Sequence, residues 1–330
     1  MSKYDTLIVI TPRDFRRLAP NYKRLMAFMP EGKLLFVGSS EVEDLAMRLK
    51  LGDRVGFINE DDILPFRKVH AVMEKHTLPI RGGKDLPRGW TGWYYQQFLK
   101  MQYARMCRDD YYLMWDGDTI PCRKIQMFDE TDGMPFMDLK KEFHREYFVT
   151  IEKLFSGMKR NSEYSFIAEH MLFRTDIMIN MMKDIEDNER LKGESFWEKI
   201  LLSIPPDRIE QSSFSEFETY GTYCSYRYAD AYHQRRWHSF RLGAEFFDPE
   251  TISDRDYEWL GKDFDAISFE KNQSVREDHK NLFDNPEYQK KLTAKQMLVV
   301  AQDAFEDGYL ELWEEEDEDL KRVLEAMRKP

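Results

Sequence analysis

The residues best suited to chemistry are two carboxylates on either side of one glycine, Asp116-Gly117-Asp118, directly after the apolar and aromatic run at 111–115. A turn at Gly117 lets both acids project from the carboxyl end of a hydrophobic strand. Hard oxygen donors in that position suit Mg2+ or Mn2+, which keeps open coordination positions for phosphate oxygens. The plainer reading of the same residues is an Asx turn capped by one acid. A second acid pair, Glu216 and Glu218, stands in SEFETYG (Ser215 to Gly221) and shares one face if that segment is extended. Arg81, Lys84 and Arg88 lie in LPIRGGKDLPRGWTGW, a loop rich in glycine and proline, where they either hold diphosphate oxygens or are solvated loop charges.

The elements around these residues alternate as in an α/β protein. Apolar runs predict strands at 6–11, 33–38 and 54–58, with helices at 14–28 and 41–49 between them. Helical spacing over Trp93 to Met106 precedes the strand that ends in the acid pair. Strands that end in polar residues on one side of a parallel sheet build a ligand crevice there. Further on, strands are predicted at 164–173, 235–242 and 264–270, and helices at 175–185 and 196–204. From Gln273 the chain reads as helical and acidic, with six consecutive acids at 314–319, a solvated face or a fraying end.

Composition bounds the function. The 330 residues are 42% hydrophobic and 14% aromatic, enough for a sizeable core. A net charge of −12 argues against a protein that wraps nucleic acid, whose phosphates want a basic face. It leaves nucleotide binding open, because a metal ion supplies positive charge locally. Cys107, Cys122 and Cys224 form neither a disulfide framework nor a CxxC site. With no signal-like or membrane-spanning apolar run, the expected place is the cytoplasm, with a peripheral position at the inner face of the membrane left open.

The succession of strands, the WTGWYYQQFLK helix and YLMWDGDT resembles the GT-A class of glycosyltransferases. More narrowly, it is similar to a bacterial glycosyltransferase family assigned mainly by sequence, with a DxD strand, an EHMLF segment and a SEFETYG segment. Here those are Asp116 to Asp118, Glu169 to Phe173, and Ser215 to Gly221, and the resemblance covers residues 5–270. It implies an α/β, GT-A-like (Rossmann-type) nucleotide-binding domain with a mostly parallel central sheet at 1–272 and an acidic helical C-terminal extension at 273–330. The apolar positions of that extension, Leu292, Met297, Leu298, Phe305, Leu310 and Trp313, would cover the core or make a homodimer contact.

The resemblance also implies a metal-dependent transferase. Its donor is a nucleotide sugar, UDP-sugar favoured, and its acceptor a glycan or lipid-linked hydroxyl, as in surface polysaccharide synthesis. Asp118 would bind Mn2+ or Mg2+ directly, with Asp116 on the metal or the ribose. Thr11 and Pro12, at the end of the first strand, would receive the base and ribose. Trp115, with Gly117 beside it, could stack on base or sugar, unless like most aromatics around the motifs it is simply core. Glu169 and His170 would face substrate, unless His170 is a satisfied core histidine. His233 or His238, in YHQRRWHSFR, would complete the metal site, and spacing does not choose between them. In an inverting reaction Glu216, or second Glu218, would take the acceptor hydroxyl proton. Two rival readings are a sugar-nucleotide nucleotidyltransferase and a non-catalytic carbohydrate- or nucleotide-binding protein. The first expects a glycine-rich loop after the first strand, where TPRDFRRL has none; paired-acid phosphatases and nucleases need a further acid or histidine cluster.

Overall fold

Three apolar runs early in the chain become parallel strands, β1 (Thr6–Val9), β2 (Leu34–Gly38) and β3 (Val55–Asn59). The computed structural model describes residues 4–28, 32–50, 52–270, 273–276, 280 and 282–301. Within them the chain divides into two compact units, one of Met1–Arg16, Met29–Gly117 and Gln126–Trp237, the other of Arg17–Phe28, Asp118–Ile125 and His238–Pro330.

The first unit holds a five-stranded sheet. With β4 (Tyr111–Trp115) and β7 (His170–Arg174), its order is β3-β2-β1-β4-β7. The β1–β2, β2–β3 and β1–β4 pairs are parallel and β4–β7 is antiparallel. The protein is therefore mixed α/β with a mostly parallel central sheet. Every residue of β2 is buried, as expected for a strand covered on both faces. The helix Arg88–Gln102 is buried on most sides, through Thr91, Tyr94, Tyr95, Gln97, Phe98, Leu99, Lys100 and Met101. A helix enclosed in this way belongs to the core. It starts five residues before Trp93, with Pro87 as its N-cap. Proline has no N–H to satisfy there.

Several predicted elements are shorter or divided. The strand expected at 164–173 is only the antiparallel β7, since 164–169 is bend and irregular backbone apart from an isolated bridge of Ser165 to Lys140. The strand expected at 235–242 is two: β8 (His233–Arg236) and β9 (Ser239–Phe240). In the first unit β8 pairs with β6 (Phe136–Leu139). In the second, β9 joins β10 (Ala266–Ser268) and β5 (Thr119–Pro121) in a three-stranded sheet.

The compact units do not divide at 272/273. In the second unit Phe283 is buried, its ring 4.4 Å from that of Phe246, and Trp259 Nε1 donates to the Leu292 carbonyl at 2.8 Å. Ala294, Met297 and Leu298 are buried as well. Phe283, Ala294, Met297 and Leu298 thus lie in the same compact unit as Phe240 and Trp259. Phe305, Leu310, Trp313, the acids at 314–319 and His279 lie outside the described residues. Among the described residues no helix is long and apolar enough to cross a membrane.

Candidate functional site

After β3 the chain returns to lay β4 on the other side of β1, so the strand order reverses between β1 and β4. Ligands of open α/β sheets bind outside the carboxyl ends of the strands at such a switch point. Thr11 follows β1 there, and Asp116-Gly117-Asp118 follows β4, with the turn at Gly117 and Asp118. Gly117 has no left-handed φ, but its surroundings are close. A Cβ on it would lie 3.0 Å from Ile10 Cδ1 and 3.1 Å from Ile8 Cγ2.

The antiparallel pairing of β4 with β7 sets Trp115 opposite His170 and so brings the DGD turn to the EH segment. The Asp116 N–H donates to the Glu169 carbonyl at 2.8 Å. Glu169 holds a left-handed φ of 57°. Such a backbone is strained for a residue with a Cβ and persists where its surroundings over-determine it. Here the Glu169 carboxylate accepts from Lys140 Nζ at 2.7 Å and from Trp237 Nε1 at 2.9 Å.

The third motif reaches the same place through a residue that the sequence reading missed. Lys100, on the core helix, donates to Asp116 Oδ1 at 2.7 Å and to Glu216 Oε1 at 2.6 Å. Its ammonium lies 4.4 Å from the centre of the Phe217 ring. The side chains of Lys100 and Glu216 are 6% and 4% exposed, that of Asp116 33%, so only the last opens outward. Burial by itself would depress the lysine pKa. The two carboxylates outweigh burial and hold the ammonium protonated above its ordinary range. Gln97, one turn earlier on the helix, accepts the Glu216 N–H at 3.0 Å.

SEFETYG is not extended. Ser215 caps the helix Glu216–Arg227 by accepting the Glu218 N–H, the serine N-cap arrangement. Two helical residues apart is a rotation of ~200°, so Glu216 and Glu218 diverge instead of sharing a face. Glu218 turns to the Ser165 hydroxyl, and its Oε1 has no hydrogen-bond partner. Burial pushes its pKa up to about 7, against the hydrogen bond from Ser165. Gly221, which closes the motif, packs its bare Cα against the Phe166 ring.

Other expected ligands sit in the interior. His170 is 2% exposed, with Nδ1 at 2.8 Å from the Ala168 carbonyl and Nε2 at 2.9 Å from Asp138 Oδ2. Both nitrogens are taken, so it is a satisfied core histidine. Asp138 is also gripped by Arg235 at 2.7 and 2.8 Å. Although burial raises its pKa, those two partners bring it below the ordinary carboxylate value. Trp115 is fully buried, its ring 4.9 Å from that of His170 and 6.3 Å from that of Trp237. It supports the strand end and offers no face to a base or sugar. Glu169 is likewise buried and paired.

The two histidines proposed as metal ligands have different partners. His233, exposed at the start of β8, pairs with Asp132 at 2.7 Å. Asp129, Asp132 and His233 are the group of three potential ligands that the described residues bring within 4.8 Å, and neither Asp116 nor Asp118 belongs to it. His238 opens the second unit's segment, where its N–H donates to Asp265 Oδ2 at 3.0 Å. Arg81 makes local hydrogen bonds, to Thr77 Oγ1 and the carbonyls of Glu74 and Lys84. Lys84 is exposed, and Arg88 lies over the Phe66 ring at 4.2 Å. Thr11 is exposed and exchanges hydrogen bonds with Asp14 at the start of the helix Pro12–Leu18.

The residues present fit a divalent ion at the strand end. Asp116 offers a partly exposed hard oxygen donor, and the formal charges of Asp116, Lys100 and Glu216 sum to −1, with burial raising the Glu216 pKa against the pull of Lys100. Asp118 follows in the same turn.

Three solved structures show what the chain is similar to. Mouse xyloside xylosyltransferase 1, apo form, is 12% identical, with 83% of this chain and 99% of that one covered and a TM-score of 0.39. The galactosyltransferase LgtC, with donor and acceptor sugar analogues, is 12% identical, covering 88% and 96% with a TM-score of 0.39. The mannosyltransferase Ktr4p from S. cerevisiae, with GDP, is 14% identical, covering 64% and 68% with a TM-score of 0.36. Likeness at this level assigns no residue roles. No curated protein matches the chain. The profile of DUF6492, a family of unknown function, matches residues 9–284, and the chain belongs to that family.

Proposed function

We propose that this protein is a GT-A-like glycosyltransferase that moves a sugar from a nucleotide-sugar donor, UDP-sugar favoured, to a glycan or lipid-linked hydroxyl, as in surface polysaccharide synthesis. The observation that carries this reading is the convergence at one strand end. Asp116 follows β4 at the switch point, is held by the Glu169 carbonyl, and is tied through Lys100 to Glu216. The three segments behind the resemblance thus meet around one partly exposed carboxylate. Asp116 and Asp118 would hold Mn2+ or Mg2+, and the ion when bound would offset charge on the leaving diphosphate. Thr11 and Pro12, at the end of the neighbouring strand, would lie along the base and ribose. Arg81, Lys84 and Arg88 remain outer candidates for the diphosphate. We place the enzyme in the cytoplasm, with homodimers as its proposed assembly.

The rival nucleotidyltransferase reading is weakened by the start of the helix at Pro12, directly where a glycine-rich phosphate loop would stand. Thermal shift with a panel of sugar nucleotides and Mn2+ tests the proposal. A donor at 100 times its dissociation constant should add about 2.7 kcal/mol, and no shift with any UDP-, GDP- or CMP-sugar would count against it.

A further inference from the structure

Glu216 is the acid that a general-base mechanism would choose, yet its surroundings serve a different purpose. It is almost wholly buried, its Oε1 takes the Lys100 ammonium at 2.6 Å, and its N–H is fixed by Gln97. The same ammonium reaches Asp116 Oδ1 at 2.7 Å. A buried lysine between two acids is fixed in place by both, because an unpaired charge there is costly. Removing either buried partner changes the charge felt at Asp116, the one member of the three that opens outward.

We infer that Glu216 is a positioning residue acting through Lys100, and that the buried pair sets the charge and orientation of Asp116 toward a divalent ion and a diphosphate. This rests on the glycosyltransferase reading of the site. Lys100 pins one oxygen of Asp116 and screens part of its charge from an anionic ligand. Glu216 neutralises Lys100, so that the site as a whole stays attractive to a cation. Glu216→Gln takes the three groups from a net charge of −1 to zero. Adding Lys100→Met restores −1 with neutral side chains of similar length beneath Asp116.

The test is titration calorimetry with Mn2+ alone and with metal-free UDP on the full chain. Glu216→Gln should weaken Mn2+ about tenfold and tighten metal-free UDP about threefold, as expected for removing one charge a few ångström away. The pair Lys100→Met with Glu216→Gln should return the Mn2+ affinity to within about twofold of wild type. If Glu216→Gln folds poorly, that double variant alone decides, and a loss of tenfold or more in Mn2+ affinity overturns the inference. Unchanged Mn2+ and UDP affinities in Glu216→Gln, with transfer reduced about 10²-fold, would also overturn it and make Glu216 the proton acceptor. A wild-type protein that binds neither Mn2+ nor UDP overturns the functional reading, and this inference with it.

Discussion

The backbone N–H of Asp116 is held at 2.8 Å by the carbonyl of Glu169, a residue whose own φ of 57° is left-handed. The strained residue is kept in place by its side chain, which Lys140 and Trp237 grip from two directions. Glu169→Ala should therefore cost about 2–4 kcal/mol by removing one partner of a buried ion pair. Glu169→Gly should cost up to about 1 kcal/mol less than alanine, since glycine adopts that φ freely. Urea unfolding measures both, and an alanine cost below about 1 kcal/mol would remove Glu169 as an anchor of the turn.

Lys100→Met leaves Asp116 and Glu216 facing each other without their cation. The expected loss is about 3–5 kcal/mol at neutral pH, seen as a lower urea midpoint with an unchanged slope. A variant as stable as wild type would mean that the lysine is not the buried bridge between the two acids.

Glu218 gives stability a pH dependence of definite sign. Its pKa is about 7 in the folded protein against an ordinary 4.5, raised by burial. Its contribution is therefore fully present below the ordinary value and is lost as pH rises through about 7. Over that window wild type should lose up to about 3 kcal/mol from this group, and Glu218→Gln should lose correspondingly less. Equal slopes of stability against pH for the two proteins would contradict this.

Gly221→Ala tests the packing behind the acid-bearing helix. Alanine is the better helix former by about 1 kcal/mol. Yet its Cβ would enter the van der Waals space of the Phe166 ring, which is buried. The clash should prevail, with a net destabilisation of about 1–3 kcal/mol by thermal unfolding. A stabilised variant would show that Phe166 moves aside freely.

Much of this architecture was legible in the sequence. The apolar runs that became β1 to β4 end in polar residues, and strand ends are the readable part of a parallel sheet. The DGD turn and the EH segment could be picked out singly, but only the antiparallel register of β4 with β7 shows that they meet. That register also turns His170 and Trp115 inward, which spacing along one strand does not reveal. Glu216 and Glu218 would share a face only in an extended SEFETYG, but a serine three residues before a glutamate is a helix-start signal, and Ser215 with Glu218 is that signal. Lys100 escaped because a lysine is ordinarily read as exposed. The clue was its place in WTGWYYQQFLK, a helix with so little polar face that a charge on it had to be buried and paired. What lies on either side of 272/273 was not legible: Phe283, beyond that point, packs with Phe240 and Phe246 in one compact unit.

The central claim is tested most directly by nucleotide release from a panel of UDP- and GDP-sugars, with Mn2+ or chelator, in wild type, Asp116→Asn and Asp118→Asn. The account predicts release by wild type that requires the ion and falls about 10²-fold or more in each variant, with the fold retained by circular dichroism. Release that is indifferent to chelator and to both substitutions, or no release from any donor, would contradict it.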